Sequence, residues 1–168
     1  MSSPETTEAL RWLRFAEEEL AEAERLLDLR DPTPRHVCWF AQQAAEKALK
    51  AALVLEGIEF PLRHDLDALR NLLPAGWAVK EEHPDLAELT EWAVEARYPG
   101  DWPEATLDDA RRAAGQARAV FDCTLVTAIE AGTHTIFVGL VEAVAMRPEL
   151  APLVYHEGEY GLVAQLPS

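Results

Sequence analysis

The chain has 168 residues, of which 49% are hydrophobic and 27% are charged, so it is long and apolar enough to bury the core of an ordinary domain. Its formal net charge of -15 at pH 7 opposes bulk binding to nucleic acids and to anionic membrane surfaces. The sequence shows neither a signal peptide nor an apolar run near the roughly 20 residues that span a bilayer, so we expect a soluble, cytoplasmic protein.

Two long amphipathic helices are predicted at the start of the chain. In the first, apolar residues recur every three or four positions, and the prolines of segment 30–35 end the pattern. A second helix is predicted from about residue 35 to residue 56, before Gly57. The positions of the first helix that are predicted to face the core are Leu10, Leu13, Ala16, Leu20, Ala23 and Leu27.

Three shorter helices follow in the sequence. One covers 63–74, with Asp65 near its start, and the next covers 83–99. The last begins where Thr106 and Asp109 have the spacing of a capping box. Five helices with short connections predict a mainly α fold, an antiparallel up-down bundle.

The pattern changes after Glu130. Segment 133–144 is rich in β-branched and aromatic residues, and segment 152–163 contains two short extended runs around a turn. We therefore expect a short C-terminal appendage that resembles a β-hairpin. The predicted domains are a helical bundle over 1–126 and a β tail over 127–168.

Three segments of the helical region resemble the HEPN domain family in order and spacing. They are CWFAQQAAEKALKA at 38–51, RHDL at 63–66 and EARYPGDWPEATLDDA at 95–110, and the resemblance extends over residues 8 to 125. It implies a helical bundle that commonly forms homodimers and binds nucleotides. It also implies pairing with a minimal nucleotidyltransferase partner in a toxin-antitoxin module.

The first of these segments combines small and polar residues. Gln43, Glu46, Lys47 and Lys50 lie three, four and seven positions apart, so they form one polar ridge on the helix. The ridge is interpreted as a solvated face, a contact with a partner, or a contact with a ligand. The small residues that would let another helix approach closely, and that predict a homodimer surface, are Ala41, Ala44, Ala45, Ala48, Ala51 and Ala52.

The other two segments supply a histidine and an arginine with two interpretations each. His64, beside Asp65 at a helix start, serves either a local hydrogen bond or a ligand. Arg97, before Tyr98 at a helix end, binds either free carbonyl groups or a phosphate. The residues predicted to bind a nucleotide or a partner are Gln43, Lys47, Lys50, His64, Asp65, Arg97 and Tyr98.

Catalysis is not expected from this sequence. HEPN ribonucleases carry an arginine followed a few residues later by a histidine, late in the bundle, because the arginine stabilises phosphate charge while the histidine transfers protons. Here the only such pair is Arg30 with His36, which lies between the first two helices. The chain is therefore interpreted as a non-catalytic HEPN protein with no cofactor, and a HEPN ribonuclease is the alternative.

The tail resembles a second family, the end of the flavin-reductase-like split barrel. The segments that carry this resemblance are GTHTIFVGLVEAV at 132–144 and PLVYHEGEYGLV at 152–163, with His134 at the position of a histidine near the flavin. The upstream strands that would hold most of the flavin have no counterpart, and a cofactor site needs converging walls. A remnant or fusion of an FMN-dependent oxidoreductase is thus a further alternative.

No metal site is predicted from the sequence. Cys38 and Cys123 have no Cys or His close to them in the chain, so their spacing indicates neither zinc ligands nor a disulfide framework. His134 and His156 fall short of the three protein ligands that a zinc ion usually takes.

Overall fold

The computed structural model describes residues 4–124 with their side chains, and the backbone of four short strands between residues 127 and 162. Residues 4–124 are mainly helical, as predicted. The helices are α1 (Pro4–Leu27), α2 (Pro34–Leu55), α3 (Leu66–Leu72), α4 (Ala78–Glu82), α5 (Ala87–Glu95) and α6 (Leu107–Thr124). Among the described residues, no helix combines the length and apolar character that crossing a membrane requires.

Helix α2 occupies the centre of the bundle. It packs against α1, α3, α5 and α6, and it carries buried residues along its whole length. Alanines also line the buried sides of α1 and α6, so backbones that meet at this core approach one another closely. The predicted homodimer surface is therefore wrong, because the chain's own helices already bury its six residues to 2% exposure or less: Ala41, Ala44, Ala45, Ala48, Ala51 and Ala52.

Several helix ends are built as the sequence predicts. The Asp65 carboxylate accepts a hydrogen bond from the Ala68 amide at 2.9 Å and so caps α3. At the start of α6, the Thr106 amide donates to Asp109 at 2.8 Å, and the Asp109 amide donates to the Thr106 hydroxyl at 3.2 Å. This reciprocal pair is the predicted capping box. Gly57 follows α2 with a φ of 66°, a conformation that favours glycine.

The structure departs from the sequence prediction at three places. There are six helices in residues 4–124 rather than five, because the short α4 was not predicted. Helix α5 covers Ala87–Glu95 instead of 83–99, and Asp85 accepts a hydrogen bond from the Ala87 amide where the helix starts. Leu10 is 51% exposed, whereas Ala9 beside it is buried, because the buried stripe of α1 passes through Ala9, Ala16, Leu20 and Ala23.

Among the described residues of the tail, four strands pair two by two. Strand β1 (Thr127–Ala131) pairs antiparallel with β2 (His134–Val138), with Ile129 opposite Ile136. Strand β3 (Leu153–His156) pairs antiparallel with β4 (Glu159–Leu162). The side chains of these strands and the segments that connect them lie outside the described residues, so the appendage and the domain boundary at residue 126 stay predictions.

Candidate functional site

The polar ridge of α2 is organised around the buried carboxylate of Glu46. Glu46 accepts hydrogen bonds from Lys50 Nζ at 2.6 Å, from Gln42 Nε2 at 2.9 Å and from the His64 ring at 2.9 Å. Because an ionised carboxylate can only accept, His64 Nδ1 carries the proton in this contact. The side chains of Glu46 and Lys50 are only 6% and 8% exposed. We call these four residues the Glu46 network.

Two aromatic rings cover the lysine of this network. Lys50 Nζ lies 5.7 Å from the centre of the Trp12 ring and 5.6 Å from the centre of the Phe60 ring. The two rings meet edge to face at 6.1 Å. The lysine charge is thus held between a carboxylate and two aromatic faces, which attract a cation.

The environment of Glu46 favours its charged form. Burial by itself raises the pKa of Glu46, but the hydrogen bonds from Lys50, Gln42 and His64 outweigh it and leave the pKa below its ordinary value. The interpretation of the ridge as a solvated face was therefore wrong for Glu46 and Lys50. Both are buried and already paired, so neither charge is available to a ligand without breaking the network.

The remaining members of the ridge face α1. Lys47 Nζ donates to Glu19 at 2.6 Å and to Gln43 Oε1 at 3.2 Å, and Gln43 in turn donates to Gln42 at 2.6 Å. Lys47 and Glu19 side chains are 21% and 23% exposed, so this pair lies near the surface. The contacts of Gln43 and Lys47 thus lie within this chain.

His64 and Asp65 lie side by side but have different environments. Asp65 is the cap of α3, which is the structural interpretation of the sequence. The His64 side chain is 50% exposed, with one ring nitrogen on Glu46. The histidine thus both belongs to the Glu46 network and remains accessible.

A cavity of about 530 Å³ lies elsewhere, between the start of α2 and the end of α5. We call it the α2–α5 cavity. Segment 98–105, which connects α5 to α6, closes one side. The residues that line it are Thr33, Pro34, Arg35, Trp92, Glu95, Arg97, Tyr98, Pro99, Gly100, Trp102, Pro103, Glu104 and Ala105.

The two arginines of the α2–α5 cavity are anchored by backbone carbonyl groups. Arg35 Nη1 donates to the Ala96 carbonyl at 2.6 Å, and Arg97 Nε donates to the Ala93 carbonyl at 2.7 Å. The second contact confirms the interpretation of Arg97 as a residue that binds carbonyls at the end of its helix. Within residues 4–124, neither Arg35 nor Arg97 forms a salt bridge, whereas Arg118 pairs with Glu24 at 2.8 Å.

Aromatic side chains form much of the cavity wall. Trp92, Tyr98 and Trp102 line it, and the guanidinium of Arg97 lies 5.6 Å from the centre of the Tyr98 ring. The Trp102 ring packs so closely on Gly100 that a Cβ at position 100 would overlap it. The absence of a side chain at Gly100 therefore permits this close packing of the tryptophan ring.

Acidic residues balance the arginines of the cavity. Glu95 and Glu104 are both in the lining, so two positive and two negative side chains face or border the same space. Burial, and secondarily the neighbouring Glu91 carboxylate, raises the pKa of Glu95. The lining thus suits a ligand of low charge better than a polyanion.

The structure separates the predicted site residues into two groups. Gln43, Lys47, Lys50 and His64 belong to the ridge of α2 and its network, whereas Arg97 and Tyr98 line the α2–α5 cavity. The predicted cofactor contact, His134, has its side chain outside the described residues.

Of the cavity residues that matter most for its chemistry, sequence reasoning missed Arg35, Trp92 and Trp102 and the two glutamates, Glu95 and Glu104. Trp102 and Arg97 both lie in segment 95–110, which resembles the HEPN family, so the aromatic residues of that segment could have been predicted to lie near Arg97. Arg35 gave no signal, because it meets the segment only through a contact with Ala96, 61 residues away.

Neither thiol of the chain is a nucleophile at neutral pH. Burial, with the Asp109 charge as a lesser cause, raises the pKa of Cys38 to about 12. Burial and the carboxylate of Glu82 raise the pKa of Cys123 to about 11. At neutral pH both sulfur atoms are therefore protonated, which argues against thiol catalysis.

Comparisons with known families and structures give three findings. A family model described as HEPN domain matches residues 9–127, and one described as Flavin reductase like domain matches residues 93–164. The crystal structure of an archaeal HEPN homologue is similar at 25% identity and a TM-score of 0.54, over 69% of this chain and 93% of that one. A search of curated proteins gives no match.

The two family matches overlap over residues 93–127. In this overlap the described chain forms the end of α5 and the whole of α6, whose buried side belongs to the helical core. The described part of the overlap up to residue 124 therefore folds as part of the bundle, and the likeness to flavin reductases is confined to sequence there.

Proposed function

Because the chain belongs to the HEPN family, we propose that it is a non-catalytic HEPN-domain protein that binds a mononucleotide in the α2–α5 cavity. The observation that carries this proposal is the joint presence, in one cavity of about 530 Å³, of three aromatic rings and two arginines that form no salt bridge within residues 4–124. Ligand pockets for small molecules commonly have volumes of about 300–1,000 Å³.

The lining matches the two halves of a nucleotide. A guanidinium binds phosphate oxygens with two parallel hydrogen bonds, which favours a role for Arg35 and Arg97 at the phosphate. Aromatic faces such as those of Trp92 and Trp102 stack on a base without requiring a particular sequence. Glutamates in the same lining are acceptors for the hydroxyl and amino groups of a nucleoside.

The charge of the cavity favours few phosphates. The two arginines are offset by Glu95 and Glu104, so a triphosphate would bring more negative charge than the lining can neutralise. The overall charge of -15 adds to that repulsion. We therefore expect a monophosphate to bind more tightly than the corresponding triphosphate.

Isothermal titration calorimetry of the full chain with AMP tests this function, and Arg97→Ala is the decisive variant. Loss of a charge-assisted hydrogen bond to phosphate, worth about 1.5–3 kcal/mol, weakens binding by about 10- to 100-fold. Arg111→Ala is the matched control, because Arg111 is an exposed arginine of α6 that pairs with Asp108 at 3.0 Å. It should bind AMP as the wild type does.

Four results would count against the proposal. The wild type could fail to bind AMP, GMP, CMP and UMP at millimolar concentration, or the two arginine variants could lose affinity equally. Cleavage of RNA that disappears in His36→Ala would instead establish a ribonuclease. A flavin absorption spectrum in the purified chain would favour the flavin-reductase alternative.

The HEPN family also supports two partner proposals. The first is a homodimer and the second is a complex with a minimal nucleotidyltransferase, as in toxin-antitoxin modules. A homodimer must use a surface other than the alanine-rich face of α2, which is buried. Light scattering of the purified chain measures the first, and co-purification from the native cell with mass identification of bound protein measures the second.

A further inference from the structure

Three side chains with metal-binding atoms meet where the end of α4 packs on α6. Glu82 is the last residue of α4, His83 follows it, and Cys123 lies in the last turn of α6. One ligand atom from each lies within 4.8 Å of the other two, and Cys123 Sγ is 3.7 Å from Glu82 Oε2. The residues used in the α2–α5 cavity and in the Glu46 network are not among them.

We propose that Glu82, His83 and Cys123 form a zinc site, with one ligand each and water as the fourth ligand. Zinc takes sulfur, nitrogen and oxygen ligands together, and a site with three protein ligands keeps one position open. With Zn–S near 2.3 Å and the other bonds near 2.0–2.2 Å, tetrahedral geometry places ligand atoms roughly 3.3–3.7 Å apart. The Sγ–Oε2 distance is already at the upper end of this range, and the other two separations have to shorten by at most about 1.5 Å.

The backbone around two of the ligands is already held in place. The His83 amide donates to the Val79 carbonyl at 3.2 Å, and the His83 carbonyl accepts from Arg70 at 2.7 Å. The charge of Arg70 is compensated by Asp67 at 2.6 Å. Only side-chain rotation is then needed to bring the ligand atoms together, which lowers the entropy cost of binding.

Access and charge also suit a divalent cation. Glu82 is exposed, while His83 and Cys123 are half-buried, so an ion can enter without opening the core. The strongly acidic chain attracts cations to its surface. On binding, the Cys123 sulfur exchanges its proton for the metal, and that proton leaves to solvent.

Such a site would join two parts of the bundle. It would link the end of α4 to the last turn of α6, next to Thr124, where α6 ends. A metal that binds only the folded chain stabilises it in proportion to ln(1 + [metal]/Kd). We therefore expect zinc to raise the melting temperature of the wild type.

Titration of the chelator-treated full chain with Co²⁺ tests the site directly, because a thiolate–cobalt bond gives a charge-transfer band in the near ultraviolet. We expect this band in the wild type and its complete loss in Cys123→Ser. The matched control is Cys38→Ala, which removes the other cysteine, a fully buried one, and should keep the band. Glu82→Gln should weaken zinc binding at least tenfold.

Folding of the variants is checked by far-ultraviolet circular dichroism. His83→Ala should fold, because hydrogen bonds of the His83 backbone hold the segment, yet zinc should no longer raise its melting temperature. The absence of a thiolate band in the wild type would overturn the site. So would a band that persists in Cys123→Ser or one that depends on His134 and His156 of the tail.

Discussion

The Glu46 network and the α2–α5 cavity both contain residues that the sequence singled out, but their charges are used in different ways. In the network, buried Lys50 donates a hydrogen bond to the buried Glu46 carboxylate at 2.6 Å, and His64 and Gln42 donate to the same carboxylate. In the cavity, Arg35 and Arg97 are held by carbonyl groups and form no salt bridge within residues 4–124. The segments that resemble the HEPN family thus contribute both to a buried network of paired charges and to an open cavity.

The comparison shows that polar residues in a family motif do not by themselves mark a binding site. A buried carboxylate has to find partners, because an unpaired buried charge costs several kcal/mol. The need of Glu46 for hydrogen-bond partners therefore explains why a lysine, a glutamine and a histidine lie beside it, and no ligand is needed to explain them. Function is better sought where arginines border an open volume and form no salt bridge within residues 4–124, as in the α2–α5 cavity.

The largest expected effect separates two lysines that lie three residues apart on α2. Lys50→Ala leaves the buried Glu46 without its cation and should lower the free energy of unfolding by about 3–5 kcal/mol. Lys47 also pairs at 2.6 Å, but with the more exposed Glu19, so Lys47→Ala should cost about 1 kcal/mol or less. Urea unfolding of both variants at pH 7 measures the difference. Equal losses in the free energy of unfolding would contradict the conclusion that the Glu46 network is buried and depends on Lys50.

A second expected effect is a dependence of stability on pH that passes through Glu46. Since hydrogen bonds hold the pKa of Glu46 below its ordinary value of 4.5, its stabilising contribution is present above pH 4.5 and is lost as the pH falls further. Urea unfolding at pH 7 and pH 3 should show a smaller loss of stability on acidification in Glu46→Gln than in the wild type.

Other carboxylates do not confuse this measurement. Burial is the main cause that raises the pKa of Glu19, which acts in the opposite direction, and this cause is present in both proteins; the charge of Glu46 is a lesser cause, so only that smaller part differs in Glu46→Gln. An equal acid-induced loss in the two proteins would show that Glu46 is not the titrating group.

How much of this was predictable depends on the distance over which the contacts act. The caps at Asp65 and Thr106 are decided within four residues, so the sequence predicts them correctly. The burial of Lys50 depends on rings at Trp12 and Phe60, which the periodicity of α2 cannot reveal. Tertiary contacts therefore bury two members of the ridge, Glu46 and Lys50, which helical periodicity alone had placed on a solvated face.

The cavity shows the same limit. Its two arginines are more than 60 positions apart in the chain, and the contact of Arg35 with Ala96 brings them to one volume. Periodicity identifies helices and their apolar sides, but not which helix end will face which loop. The sequence therefore identified only Arg97 and Tyr98 among the residues that line the α2–α5 cavity.

A smaller effect is expected at Asp65, which was predicted to bind a ligand or partner and is observed as a cap. Asp65→Ala removes the acceptor for the Ala68 amide and should cost about 1 kcal/mol of unfolding free energy. Asp65→Asn keeps an acceptor and should cost less. If Asp65→Ala leaves stability unchanged but weakens AMP binding, the residue belongs with the cavity instead.

The smallest effect on stability is expected at Arg97, where the comparison becomes sharpest. Arg97 is exposed, and its contact with the Ala93 carbonyl at 2.7 Å lies at a helix end that water can also satisfy, so Arg97→Ala should change the free energy of unfolding by about 0.5 kcal/mol or less. The same variant should bind AMP about 10- to 100-fold more weakly. Lys50→Ala is expected to do the reverse, with a large loss of stability and, in conditions where it remains folded, unchanged AMP affinity. Urea unfolding and calorimetry on these two variants therefore test whether the Glu46 network serves stability and the α2–α5 cavity serves binding. A Lys50→Ala protein that is as stable as the wild type but no longer binds AMP would show that the network, and not the cavity, is the binding site.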